Sequence, residues 1–321
     1  MKKLVLALVF GCLIHGAQAE QLSRISAEIS GFSGKEVMFW FVEEPGLTMR
    51  FPYVENQKME FEVELTDITM LKINGLLSVC LQPGDSIHAK IVYKENVFET
   101  VAFSGSPQAV ASAELLYGFG KMRSAREYKT TVPLALLMKT PVKAYYESSL
   151  KEWKEELVLL QDVKEQFSED CYHYLESEID GVLLPNLLIY PYAYADALKQ
   201  DIGQLLPEDY WTVLSDYRLR DDAGSLRNKT YLSFLTTYKA YMKGKNTGAA
   251  DYSKPRSIEK EFAELVAFYE GNLRDAALFS LLYNALLFSE EVKLVADLKK
   301  EYRKKYNINK KYKTILDELM R

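Results

Sequence analysis

Through the first third of the chain, apolar and polar residues alternate with a period of two, the rhythm of strands with one buried face and one wet face. Ile25, Ala27 and Ile29 oppose Ser26, Glu28 and Ser30, and Gly31 and Gly34 break the run before Val37, Phe39 and Phe41. Glu44-Pro45-Gly46 reverses the chain ahead of Met49, Phe51 and Tyr53, where Pro52 marks an edge strand or a bulge. Met59, Phe61, Val63 and Leu65 face away from Glu60, Glu62 and Glu64, an acidic row that reads as a solvated face discouraging edge pairing. Asn74-Gly75 predicts a tight hairpin between Leu71 and Ile73 on one side and residues 76–81 on the other. Pro83-Gly84-Asp85 is the sharpest turn of the chain: Pro83 pre-sets φ, Gly84 accepts a positive φ and Asp85 can bond the backbone just beyond. Ile87, Ala89 and Ile91 alternate after it, so a second hairpin is expected there. Val97, Val101 and Phe103 add a last strand, and the spacing predicts an antiparallel β-sandwich over residues 20–106.

After Pro107 the apolar period lengthens to about three and a half and stays there. A first helix around Ala111, Leu115 and Leu116 is weakened by Gly118 and Gly120. Thr140-Pro141 supplies a cap and a first-turn proline for a long amphipathic helix carrying Tyr145, Leu150, Trp153, Leu157 and Leu160. Ser168 caps the next, which Pro185 should kink or end. Pro207-Glu208-Asp209 has the form of a further helix start. Helices over residues 226–242, 258–269, 274–288 and 290–306 complete an all-α region, residues 107–321. The fold class is therefore α+β, with a β-sandwich followed by a helical domain and no convincing repeat.

With 48% hydrophobic and 26% charged residues the chain has the make-up of a globular protein, and its 321 residues suit about two domains. Residues 1–19 are expected to be a signal peptide: Lys2 and Lys3 precede an apolar run over residues 4–14, and Ala17-Gln18-Ala19 offers a cleavage site. That places the protein in the periplasm or at the outer membrane, with no transmembrane span. A rival reading makes Cys12 a lipid anchor, against which Phe10 fits poorly before Gly11. Forty basic residues face 45 acidic ones, and losing the two leader lysines deepens the imbalance, so nucleic acid is not an expected partner. Lys299, Lys300, Arg303, Lys304, Lys305, Lys310, Lys311 and Lys313 cluster near the C-terminus as a solvated face or as a contact for an anionic partner.

Cys80 and Cys171 remain beyond the leader, one in each expected domain, and read as buried thiols or as an interdomain disulfide. His88 and His173 have no partner at metal-binding spacing, and neither a metal nor a cofactor is expected. Gly-x-Ser-x-Gly, Gly-x-x-x-x-Gly-Lys and His-Glu-x-x-His are all missing from the sequence, so an enzyme is not expected. Tyr190, Tyr192 and Tyr194 flank Pro191 as packing between helices or as a patch that could stack on a sugar.

Gly31-Phe32-Ser33-Gly34-Lys35-Glu36-Val37, Met59-Glu60-Phe61-Glu62-Val63, Leu81-Gln82-Pro83-Gly84-Asp85-Ser86-Ile87 and Phe103-Ser104-Gly105-Ser106 carry a resemblance. This first third resembles the β-domain of unknown function that precedes a helical spacer and a thioredoxin-like domain in exported TlpA/ResA-type thiol–disulfide proteins. The helical region matches that spacer only in general character. Such proteins place a Cys-x-x-Cys nucleophile after the spacer, and this sequence has none. The resemblance therefore implies an exported, non-catalytic relative that binds an envelope protein or ligand. The alternatives are an accessory that docks a separate thioredoxin-like partner and a glycan-binding module. Asp85-Ser86-Ile87 is also similar to a short O-glycosylation signal of some such bacteria, which would modify Ser86.

Overall fold

In the computed structural model, which describes residues 22–44, 46–95, 97–247, 257–288 and 291–319, strands give way to helices between Gly105 and Pro107. The expected signal peptide, residues 1–19 with Cys12, lies outside the described residues. Eight strands come first: β1 (Leu22–Ser30), β2 (Glu36–Phe41), β3 (Thr48–Pro52), β4 (Lys58–Glu64), β5 (Thr69–Ile73), β6 (Leu77–Leu81), β7 (Ser86–Lys94) and β8 (Val97–Gly105). They form two four-stranded sheets, in the orders β4-β1-β7-β8 and β3-β2-β5-β6. Ile25, Phe39, Val63, Val79 and Ile91 meet between them in the sandwich core. The strand carrying Pro52 is an edge, as its missing N–H requires, and β4 turns its three glutamates outward on the edge of the other sheet.

Two features depart from the sequence reading. The Pro83-Gly84 turn forms, with Asp85 N–H donating to the Gln82 carbonyl at 3.1 Å and Gly84 at φ +84°, but β6 and β7 do not pair across it. It carries the chain from one sheet to the other. The strands are also not all antiparallel, because β7 runs parallel to β1, pairing Ile25 with Ile87 and Ile29 with Ile91. A turn motif fixes the local reversal but leaves open which neighbour the next strand takes, and the flank of β1 opposite β4 accepts β7.

The helices are α1 (Pro107–Ala125), α2 (Val132–Leu137), α3 (Val142–Asp162), α4 (Glu169–Leu198), α5 (Ala223–Arg227), α6 (Lys229–Thr247), α7 (Ile258–Phe268), α8 (Gly271–Phe288), α9 (Val292–Lys305) and α10 (Lys310–Glu318). Ser168 caps α4 as expected, accepting the Cys171 N–H, whereas Thr140 makes no side-chain cap on α3. Helix α4 runs for 30 residues straight through Pro185 and Pro191. It packs against α3 on one side and α6 on the other and buries Leu184, Leu187, Leu188 and Tyr190, so tertiary packing outweighs the two lost backbone bonds. The expected helix at Pro207 is only a short 3-10 turn, Tyr210–Thr212. There Tyr210 is buried, its hydroxyl donating to the Leu188 carbonyl at 2.8 Å and its carbonyl accepting from Tyr241 at 3.0 Å, which holds the segment against α4 and α6.

Candidate functional site

Alternation places Leu77, Val79 and Leu81 of β6 in the sandwich core and sends Cys80 to the opposite face of the sheet. That outer face is not wet. Met70, paired with Cys80 across β5 and β6, joins Phe119 of α1, Leu160 of α3, and Cys171, Tyr174 and Leu175 of α4 in a second apolar cluster. A sheet buried on both faces explains why the strands around Cys80 read as near-continuous apolar runs.

Helix α1 covers the free edge of β6. The buried Ser112 hydroxyl accepts the Cys80 N–H at 3.1 Å and lies 3.1 Å from the Cys80 carbonyl. Beside it Gln108 bonds Gln82 at 2.7 Å, Gln82 bonds the Ser168 hydroxyl at 2.7 Å, and the Ser168 N–H donates to Gln108 at 2.7 Å. This ring fixes the first turn of α4 against the end of β6. Its result is that the two cysteine sulfurs, both with no exposed surface, lie 3.4 Å apart. Burial and the neighbouring sulfur push the Cys80 thiol well above its ordinary range.

Polar contacts hold the rest of the seam. Glu43, only 2% exposed, accepts from the Thr69 hydroxyl at 3.0 Å, the Met70 N–H at 2.9 Å and the Lys229 N–H at 3.3 Å. Desolvation raises its carboxyl pKa above the ordinary value despite the Met70 bond, which works the other way. Arg227 grips Glu44 at 2.5 Å and the Ile68 carbonyl at 3.3 Å, while Lys311 reaches the Thr66 hydroxyl at 2.7 Å. The Lys229 ammonium donates to the Val42 carbonyl and to the Tyr283 hydroxyl, both at 2.6 Å. Burial pulls its pKa down to about 8. Two sandwich loops are thus clasped by three cations from the helical side.

Beside the Arg227 clasp lies a cleft of about 260 Å³, lined by Asp67 and Ile68 from the sandwich and by Asp170, Asp221, Arg227 and Tyr312 from the helical part. Among the described residues no group of three or more His, Cys, Asp or Glu side chains is placed to hold a metal ion. His88 sits beside Ser26 at 2.9 Å on the sandwich, and His173 beside Asp222 at 3.4 Å.

The tyrosine patch does not form a platform. Tyr190 is fully buried, stacked on Tyr145 with ring centroids 3.7 Å apart, and donates its hydroxyl to the Thr140 carbonyl at 2.6 Å. Tyr192 is 9% exposed on another side of α4 and packs on Tyr210, while Tyr194 is half-buried beside Tyr190. Tyr192 points away from Tyr190 and Tyr194, which share a side of the helix, and with Tyr190 fully buried no open ring face is left there for a sugar, so the stacking reading is corrected to core packing. Ser86, half-buried at the start of β7, donates its N–H to the Ser106 hydroxyl at 2.8 Å, with its own hydroxyl 3.4 Å from that oxygen.

Much of the basic cluster is spoken for within the chain. Lys299 bonds the Leu316 carbonyl at 2.7 Å and pairs with Asp317 at 2.8 Å, Arg303 lies 3.2 Å from Asp317, and Lys311 turns into the seam. Among the described residues no helix is long and apolar enough to cross a membrane.

Sequence reasoning missed Glu43, Arg227 and Lys229, and read Lys311 as part of a basic surface cluster although it turns into the seam. Each belongs to a polar stretch indistinguishable from a solvated turn or helix end, and no spacing rule joins residues so far apart in the chain. Comparison with known protein families, curated proteins and solved structures finds no match for this chain.

Proposed function

We propose that the chain is an exported, non-catalytic binding protein of the periplasm or outer-membrane face, related to the leading domains of TlpA/ResA-type proteins. It engages an envelope partner or ligand through the cleft between its two parts. The cleft carries this reading, because it draws its walls from both domains and is lined by Asp67, Asp170, Asp221, Arg227 and Tyr312. Convergent polar groups in a concavity are the usual form of a recognition site. At about 260 Å³ it accommodates a protruding side chain or a small polar group rather than a bulky cofactor. The Lys2-Lys3 start, the apolar run after it and Ala17-Gln18-Ala19 support export.

The test is photocrosslinking in living cells with a reactive amino acid at Asp221, on the cleft lip, and at the exposed Lys154 of α3 as a control. A discrete envelope adduct from Asp221 and not from Lys154 is the expected result. Equal or no labelling at the two positions defeats the reading.

A second reading, an accessory of thiol–disulfide exchange, draws on the contact between Cys80 and Cys171. Exchange requires a sulfur to be reached in line by an outside thiolate. Zero exposure of both sulfurs weighs against a cycling pair and favours the binding reading.

A further inference from the structure

Cys80 and Cys171 are the only cysteines of the chain outside the leader. Buried thiols commonly serve as small apolar fillers. These two differ in arrangement: 91 residues separate them in sequence, they come from opposite sides of the seam, and they meet sulfur to sulfur at 3.4 Å. The backbone behind each is fixed, at Cys80 by the pairing with Met70 and the Ser112 bonds, at Cys171 by the Ser168 cap, and the glutamine ring ties the two together. Bringing the sulfurs to the roughly 2.05 Å of a bond asks for a shift of little more than 1 Å, within the reach of side-chain rotation.

We propose that Cys80 and Cys171 form a structural disulfide that joins the sandwich to the helical domain and fixes the width of the cleft. The neighbours of the two cysteines make the second point. Met70, opposite Cys80, follows Ile68 by two residues, and Asp170 precedes Cys171, so the bond ties one cleft wall to the other. With residues 1–19 removed, two cysteines remain and one intramolecular pairing is open, which excludes scrambling within the chain.

The chemistry is a two-electron oxidation. Two S–H bonds and the S–S bond of a disulfide oxidant break, one S–S bond forms between Cys80 and Cys171, and the two protons and two electrons end on the oxidant as its two thiols. The oxidant is a disulfide-bearing thiol oxidase of the envelope, or a small-molecule disulfide in vitro, and the route runs through a mixed disulfide with one of the two cysteines. Neither sulfur is reachable in the closed structure, so the bond forms before the seam shuts or when it opens. The pairing rests on geometry alone, while its formation in cells also rests on the export reading.

The experiment has two arms. Reduced, denatured protein is refolded in a buffer of reduced and oxidised glutathione, then alkylated and mapped by mass spectrometry without reduction. In parallel, protein made with its own leader is acid-quenched in cells and mapped the same way. The expected product in both arms is a Cys80–Cys171 cross-linked peptide, in protein about 2 Da lighter than the reduced form. The oxidised protein should melt about 5–10 °C above the same protein after reduction, and a Cys80→Ser, Cys171→Ser double variant should show no such difference on reduction. Free thiols or glutathione adducts in the refolded protein overturn the pairing. Free thiols in cells beside ready cross-linking in vitro overturn the bond in the working protein and locate the failure in the export reading.

Discussion

Gly181 of α4 lies so close to Thr230 of α6 that a β-carbon built on it would stand 2.5 Å from the Thr230 carbonyl carbon and 2.5 Å from the Tyr231 nitrogen. The obstruction is backbone, which cannot rotate aside. Gly181→Ala should therefore force the two central helices apart and destabilise the protein by about 2 kcal/mol, seen as a lower urea midpoint. An unchanged midpoint would show that the helices pack less closely than described.

Asp180, with no exposed surface, anchors the same region. It accepts from the Trp153 indole at 2.7 Å, the Tyr217 hydroxyl at 2.8 Å and the Arg220 guanidinium at 3.2 Å. Asp180→Ala removes three bonds and leaves Arg220 with Glu176 alone, a loss of about 3 kcal/mol. Asp180→Asn should recover part of it by keeping an acceptor for Trp153. Equal denaturation curves for Asp180→Ala and Asp180→Asn would contradict this account.

The Glu43 carboxyl titrates above its ordinary value of 4.5 when folded. Over the window from that value up to its folded pKa the folded state holds the extra proton, so stability contributed by Glu43 is present at low pH and lost as pH rises. Glu43→Gln cannot titrate. Its stability relative to the parent should therefore improve with increasing pH across that window, as followed by urea titrations at several pH values. A difference that stays flat, or grows in the other direction, rules out the raised carboxyl.

Lys229 behaves in the opposite sense. Its folded pKa of about 8 lies below the ordinary 10.5 because burial outweighs the pull of Glu43 and Glu44, with the Arg227 charge adding to the effect. Between those values the unfolded chain binds the proton more tightly, so stability rises as pH climbs from about 8. Lys229→Met should lack that rise, and comparing the two proteins cancels the tyrosines that titrate nearby. A matching slope in the variant would assign the effect elsewhere.

Strands with one wet face were legible because period-two alternation is a local signal: Met59 through Leu65 could be assigned from seven residues. Their order was not. The Pro83-Gly84 turn is the same in sequence whether it closes a hairpin or hands the chain to another sheet, and only the competition of β6 and β7 for neighbours decides. Pro185 does not end α4, for a related reason, since propensity describes an isolated helix and α4 is enclosed by others. At the seam, Cys80 and Cys171 could be named as candidates from their count, yet their contact depends on Ser112, Gln82, Gln108 and Ser168. Glu43 and Lys229, 186 residues apart, left no trace of one another in the sequence.

The parallel register of β1 and β7 sets a clock on maturation. Ser26 must wait for His88, 62 residues later, before its strand has both neighbours, and a loop of that length is slow to close. The sheet that holds β1 is thus completed only by strands that follow the whole of the other sheet in sequence.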